Sequence, residues 1–379
     1  MPRRVAPLRV LVAPDKWKGN LTAAQAAGAI ARGVSAAGHA ATQLPLADGG
    51  EGTLDSLSTA PGSARESLST QDALGRPLSA DVLTLADGTA VVEAATCLGL
   101  TLVPPHQTPL HASSAGLGLL LLQVLERNPA QVLVALGGTA TMDAGAGCLQ
   151  ALGSVLSNAP PGLRARDLDR VSAVDLSPVM QALRQTRVRV ACDVMTPLSA
   201  AAIQFAPQKG ATEDESRALQ TSMDRFARML SPTAASVAGG GAAGGLGAAF
   251  HALGATLESG CDLILDAVGF DQALSRTDLV ITAEGRIDAT SLQGKVLSGV
   301  GRRASGAGIP VVALAGNVRV LPQELWQRGI SAAFAIQPGP CTETESREHA
   351  STWLEQQAAS VCKLFARARV NAATQLATR

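Results

Sequence analysis

The stretch Leu8–Thr53 reads LRVLVAPDKWKGNLTAAQAAGAIARGVSAAGHAATQLPLADGGEGT, and its pattern decides the fold class. Leu8–Ala13 is an apolar run ending at Pro14, the signature of a strand buried on both faces. Thr22, with Gln25 three residues later, is a capping-box signal. The helical pattern behind it runs to about Ala37 and stops at Gly38. Thr42–Leu46 reads as a second strand. Strand, helix and strand at this spacing predict a βαβ unit, and with it a parallel sheet in an α/β protein.

The texture changes after about Pro61. Leu78–Leu85 and Thr89–Ala94 flank Asp87-Gly88, a hairpin signal that brings in antiparallel strands. Ser113–Arg127 reads as a helix, Gln131–Leu136 and Arg187–Cys192 as strands, and Glu213–Leu230 as an amphipathic helix. Parallel texture returns with a strand at Asp278–Ala283, a polar loop at Glu284–Gln293, a helix at Lys295–Gly306 and a strand at Pro310–Ala315. A short strand at Ser331–Ile336 and a terminal helix at Ser351–Arg367 complete the pattern. The expectation is two unlike domains: residues 1–65 with 262–379 form a parallel-sheet domain from both chain ends, and 66–261 is an inserted mixed-sheet α/β domain.

Composition narrows the function. At 379 residues and 46% hydrophobic, the chain can bury a large core. Aromatics are 2% with no Tyr, and net charge is zero. The low aromatic content argues against stacking platforms for bases, and the zero net charge leaves no global pull toward nucleic acid or anionic membrane. No apolar run reaches membrane-spanning length, and the apolar stretch behind Arg3 and Arg4 is too short for a signal peptide. A cytoplasmic location is expected. The six cysteines show no CxxC spacing, which argues against zinc or a disulfide framework and for buried reduced thiols.

Four polar loops follow predicted strands, where ligands bind in parallel α/β sheets. Asp15-Lys16-Trp17-Lys18-Gly19 places an acid and two lysines before a helix, a setting for phosphate or carboxylate. Asp48-Gly49-Gly50-Glu51-Gly52-Thr53 combines glycines that admit a ligand to the backbone with two acids able to hold Mg²⁺. Gly137-Gly138-Thr139 opens an anion cradle that runs to Gly147 but is not a Walker loop. Glu284, Arg286 and Asp288, followed by Lys295, offer a carboxylate pair for metal and a guanidinium for phosphate. Asp193 ends a buried strand, a place for a general base or a metal ligand, and Lys209 sits in a constrained turn. Gly239–Gly244 formally fits GxGxxG, but no clear strand precedes it, which disfavours a dinucleotide-binding oxidoreductase.

The segments DKWKGNLTA (Asp15–Ala23), PLADGGEGT (Pro45–Thr53), LGGTATMDAGAG (Leu136–Gly147), ACDV (Ala191–Val194), FAPQKGAT (Phe205–Thr212), GAAGGLGA (Gly241–Ala248) and TAEGRID (Thr282–Asp288) together resemble the glycerate kinase family that includes the bacterial glycerate 2-kinases. They occur in the family's order and span nearly the whole chain. The resemblance implies a flavodoxin-like domain with an inserted mixed-sheet domain, ATP and Mg²⁺ as cofactors, and D-glycerate as substrate with phosphoglycerate as product. With phosphoryl transfer as the expected reaction, the loops make Asp193, Lys18 and Arg286 the catalytic candidates. Asp15, Gly49, Gly50, Gly137, Gly138, Thr139, Lys209 and Lys295 become substrate or nucleotide ligands, and Asp48, Glu51, Glu284 and Asp288 metal ligands. Lys16, Met142 and Ala283 depart from the family's usual Ser, Asn and Gly. Alternatives are a kinase for another small sugar acid and a non-catalytic glycerate or nucleotide sensor. The sequence leaves oligomeric state open, a homodimer included.

Overall fold

The computed structural model describes residues 6–292 and 294–377. Met1–Val5, with both arginines of the leading segment, and Gln293, the expected end of the polar loop, lie outside them. In chain order the strands are β1 (Arg9–Val12), β2 (Ala40–Gln43), β3 (Ala64–Gln71), β4 (Pro77–Thr84) and β5 (Ala90–Glu93). β6 (Gln131–Ala135), β7 (Val155–Ser157), β8 (Ala173–Asp175), β9 (Arg187–Cys192) and β10 (Thr256–Ser259) follow. β11 (Leu279–Glu284), β12 (Val311–Ala315) and β13 (Ala332–Ala335) close the series. The chain forms two compact units, 1–47 with 264–379, and 48–263.

The first unit is built on a five-stranded sheet in the order β13-β12-β11-β1-β2, with every pair parallel. Renumbered within the unit and read from the other edge, this is 2-1-3-4-5, the flavodoxin-like order, whose switch point lies between β1 and its third strand. That third strand is β11. The central strands are mostly apolar, and all six residues of β11 and all five of β12 are buried, whereas the edge strands β2 and β13 are largely exposed. The helix Ala23–Ala36 carries the expected Thr22–Gln25 capping box. The last helix runs Glu343–Ala377, longer than the sequence pattern predicts. It starts at a second capping box, in which Thr342 Oγ1 accepts from Glu345 N and Glu345 Oε2 accepts from Thr342 N. β2 begins two residues earlier than expected because Arg9–Val12 pairs with Ala40–Gln43.

The second unit holds a six-stranded sheet in the order β10-β9-β6-β5-β4-β3. β3, β4 and β5 pair antiparallel, and β5, β6, β9 and β10 pair parallel, so the sheet is mixed. β3 and the small β7–β8 hairpin were not legible in the sequence. β3 is a polar edge strand, ARESLSTQ, with mostly exposed or half-buried residues and no apolar run to mark it. The first crossing between units falls at Ala47/Asp48, ahead of the expected 65/66. The reason is Glu93 at the end of β5, whose carboxylate accepts from Gly52 N and Leu54 N at 3.1 and 3.0 Å and ties 48–54 to the mixed sheet.

The glycine-rich 239–247 segment follows a helix, Glu213–Leu230, and not a strand. Its Ala243, Gly244 and Gly245 have positive φ, and a Cβ on Gly244 would lie 1.9 Å from Thr141 O. This bend is packing for the Thr141–Ala144 segment, whose Ala144 N donates to Gly244 O. Met142 is fully buried in the core of the second unit, and Ala283 is a buried residue of β11. Of the three departures from the family's usual residues, these two are therefore packing positions, while Lys16 is half-buried in the loop after β1. None of the six cysteines is in a disulfide; five are buried and Cys341 is exposed, contrary to the expectation that all would be buried. Among the described residues no helix is long and apolar enough to cross a membrane.

Candidate active site

In the first unit the loops leaving β1 and β11 flank the switch point. Asp15 N donates to Ala283 O at 2.8 Å, which locks the two strand ends together. Asp15 is buried, and its Oδ1 accepts from Lys16 N at 2.7 Å. Trp17 N donates to Leu21 O at 2.8 Å, closing a tight turn that leaves Lys18 exposed. Trp17 itself is buried, and its Nε1 has no protein partner.

Glu284, the last residue of β11, is buried and accepts a hydrogen bond from Ser291 Oγ. Burial pushes its carboxyl up to about 7; Asp15 and Asp288 add to the rise, while Ser291 and Lys295 oppose it. Asp288 is a turn-former, with its Oδ1 accepting from Thr290 N at 2.9 Å and Thr290 Oγ1 at 2.6 Å. Those bonds hold its carboxyl below the usual range. Ile287 N donates to Asn317 O and Ile287 O accepts from Arg319 N, both at 2.8 Å, so the loop is pinned to the one after β12. Arg286 is exposed, and Lys295 is half-buried just ahead of the helix Val296–Gly306. The first unit thus gathers Asp15, Lys18, Glu284, Arg286, Asp288 and Lys295 at one end of its sheet.

The second unit gathers the other expected residues by a different route. β6 and β9 are parallel neighbours, so Gly137 and Asp193 emerge side by side from their carboxyl ends. The Asp48–Thr53 loop lies against both. Gly137 N donates to Gly49 O at 3.1 Å, and Gly50 N donates to Asp48 Oδ1 at 3.3 Å. A Cβ on Gly137 would lie 2.6 Å from Gly50 Cα and 3.0 Å from Asp193 Cγ. A Cβ on Gly50 would lie 3.2 Å from Asp48 Oδ1. Only glycine lets these backbones touch, and the contact sets Asp48 and Asp193 beside bare peptide groups. Glu51 stands exposed beside Gly138, and Thr139 is buried with its Oγ1 unpartnered.

Lys209 stands apart from that surface. It is buried, and its Nζ donates to Thr141 O at 2.8 Å, inside the glycine loop. Burial lowers its ammonium to about 8, and the charges of Asp193 and Asp143 oppose that fall. Sequence reasoning did not single out Asp143, although it lies within the quoted loop. Fully buried, it accepts from Ser114 N at 2.7 Å, Ser114 Oγ at 2.8 Å, and Gly145 N and Gly147 N at 3.2 Å each. Its pKa is raised by burial against these bonds. Ser114 Oγ also accepts from Cys148 N at 2.9 Å, so one acid and one hydroxyl hold two helix starts in place. The Asp-Ala-Gly-Ala-Gly spacing was a visible turn signal; the distant Ser114 partner was not.

The sequence profile of the glycerate kinase family matches residues 10–366. The chain belongs to the glycerate kinase family. It is 37% identical over 369 residues to the glycerate kinase of Bacillus subtilis strain 168, covering 93% of this chain and 97% of that one. It is 36% identical over 344 residues to the glycerate 2-kinase of Escherichia coli K12, covering 87% and 90%. A solved structure from Salmonella typhimurium LT2, described as a candidate glycerate kinase 2, superposes with a TM-score of 0.80 at 33% identity. That superposition covers 98% of this glycerate kinase family member and all of the Salmonella chain, so the parallel sheet with its mixed-sheet insertion is the architecture of both.

Two groups implied by the family, ATP and a divalent cation, can be tested against these residues. Mg²⁺ is held by one or two carboxylates together with substrate phosphates and water. Asp48 and Asp193, two carboxylates that both lie against the Gly50–Gly137 contact, fit that demand. The Glu284–Asp288 pair fits less well. One carboxylate is held near neutral by burial, and the other is engaged in its own turn. Among the described residues no three His, Cys, Asp or Glu side chains form a ready-made metal nest.

Proposed function

We propose that this chain transfers the γ-phosphoryl group of ATP to the 2-hydroxyl of D-glycerate, giving 2-phosphoglycerate and ADP. Family membership supports the reaction class, and the Escherichia coli relative's name, glycerate 2-kinase, supports the position. The observation that carries the site is the convergence of Asp193, Asp48 and the bare Gly50 and Gly137 backbone at the ends of neighbouring parallel strands.

Phosphoryl transfer asks a protein mainly for placement and charge neutralisation. In the first unit Lys18, Arg286 and Lys295 supply cations at the switch point, suited to the nucleotide phosphates. In the second unit Asp193 accepts the proton of the attacking hydroxyl as the new O–P bond forms and the bond to ADP breaks. The glycine contact packs bare backbone against the Asp193 side chain. Thr139 Oγ1, buried without a protein acceptor or donor, gains a partner when the substrate's carboxylate or hydroxyls arrive. Mg²⁺, held through Asp48 with Glu51 nearby, would offset the phosphate charge. Lys209 acts by supporting the Thr141 carbonyl and the Asp193 field from beneath.

A coupled ADP-release assay with Mg-ATP and D-glycerate tests this reading. ADP formation that needs both substrates is expected, with the phosphate on O2 by phosphorus NMR. A product phosphorylated on O3 would overturn the position. Turnover only with another hydroxy acid would move the substrate. Ligand-induced stabilisation without turnover would leave a sensor.

A further inference from the structure

A groove of about 520 Å³ opens on the first unit, lined by Pro338, Pro340, Cys341, Glu345, His349 and Trp353. None of the motifs that mark the family contributes to it. Its wall is the loop after β13, and its floor is the start of the last helix. Trp353 and His349 present paired rings, 5.5 Å between centroids and tilted by 40°. Trp353 is partly buried and packs against the unit's core. In a chain with three tryptophans and no tyrosine, an aromatic pair lining a groove is a costly feature to expose.

The groove is wired to the β1 and β11 loops. Gln337 Nε2 donates to Gly316 O and, at 3.1 Å, to Ser346 Oγ, which fastens the groove wall to the loop after β12. A Cβ on that same Gly316 would lie 2.7 Å from Gly285 O and 3.2 Å from Trp17 Cζ3. Arg347, between the groove residues Glu345 and His349, donates from Nη1 to Gly19 O at 3.4 Å. The groove therefore shares the carboxyl-end edge of the sheet with the cationic loops. Two strand spacings, roughly 10 Å, separate β11 from β13. That matches the reach between the base and the phosphates of an extended nucleoside diphosphate.

We infer that the Trp353–His349 groove receives the planar base of the nucleotide, whose phosphates lie at the Lys18 and Arg286 loops. A flat π-system stacks on the rings, and the Glu345 carboxylate accepts from an exocyclic amino group. Pro338 and Pro340 line the same groove with short, rigid side chains. This rests on the ATP-dependent reading above and deepens it by naming where the base lies.

The test titrates ADP and, separately, inorganic pyrophosphate into the full-length protein by calorimetry. It compares wild type with Trp353→Ala, Trp353→Phe and Gly339→Leu. A Cβ on Gly339 meets nothing within 4 Å, so Gly339→Leu fills the groove without straining the fold. Trp353→Ala and Gly339→Leu should each weaken ADP about tenfold while pyrophosphate affinity holds, and Trp353→Phe should recover most of the loss. The KM for ATP should rise in parallel while the KM for glycerate stays put. Unchanged ADP affinity in Gly339→Leu, with glycerate-dependent turnover intact, overturns the base site and leaves the kinase reading standing. A wild-type protein that neither binds ADP nor turns over glycerate overturns both.

Discussion

At the carboxyl ends of β1 and β11 the chain presents long charged side chains, and at the ends of β6 and β9 it presents bare backbone. In the first unit Lys18 and Arg286 reach out from loops that hydrogen bonds hold to neighbouring strands. Gly285, between Glu284 and Arg286, has ordinary room, with the nearest atom 3.6 Å from where its Cβ would be. In the second unit Gly137 and Gly50 touch so closely that a Cβ on Gly137 would lie 2.6 Å from Gly50 Cα. The difference fits the proposed partition of labour. Phosphates are large and highly charged, and flexible cations can follow them. A hydroxyl that must lose its proton at one moment needs an acid held at one height, and close-packed backbone provides that.

The sharpest way to break this comparison is at the acid. Asp193→Asn should lower kcat by about a hundred- to ten-thousandfold, with the melting temperature nearly unchanged. Turnover close to wild type would remove Asp193 from the proton-accepting role.

The next test concerns charge at the first unit. The folded pKa of Glu284, about 7, lies above its ordinary 4.5. Between those values the unfolded chain has released a proton that the folded chain still holds. Stability therefore falls as pH rises through that window. Glu284→Gln cannot titrate and still accepts from Ser291 Oγ. Wild type should lose about 3 kcal/mol relative to Glu284→Gln between pH 4 and pH 8, read from urea unfolding at each pH. A constant difference across that range would contradict the burial account.

A paired substitution compares the two units directly. Gly137→Ala should cost about 1–3 kcal/mol and depress kcat/KM, because the new methyl meets Gly50 Cα and Asp193. Gly285→Ala should stay within about 0.5 kcal/mol of wild type, with activity retained. Equal behaviour would erase the distinction between packed and open loops. The smallest effect is expected from Lys18→Ala, about a tenfold rise in the KM for ATP with kcat nearly held, since one exposed cation among three is lost.

Much of this was legible in the sequence because the signals were local. The capping box at Thr22, the Asp87-Gly88 hairpin and the apolar runs of β1, β11 and β12 depend on near neighbours, and each became the element it predicted. What stayed hidden was set by distant partners. Glu93 draws the 48–54 loop into the mixed sheet from across the chain, which moved the domain boundary. Asp143 finds its work through Ser114, and Lys209 through Thr141. A lysine in a turn looks like an anion ligand until its ammonium is seen buried against a carbonyl. The early start of the last helix is different: the Thr342–Glu345 capping box was there to be read, and the apolar pattern drew attention too far downstream.

The most direct test of the partition is a pair of calorimetric titrations on two variants of the full chain, Lys18→Ala and Asp193→Asn, each against ADP and against D-glycerate. The account predicts that Lys18→Ala weakens ADP and leaves glycerate unchanged, while Asp193→Asn retains ADP binding yet turns over about a hundred- to ten-thousandfold more slowly. Loss of glycerate binding in Lys18→Ala together with loss of ADP binding in Asp193→Asn would contradict it, and would exchange the roles of the two loop clusters.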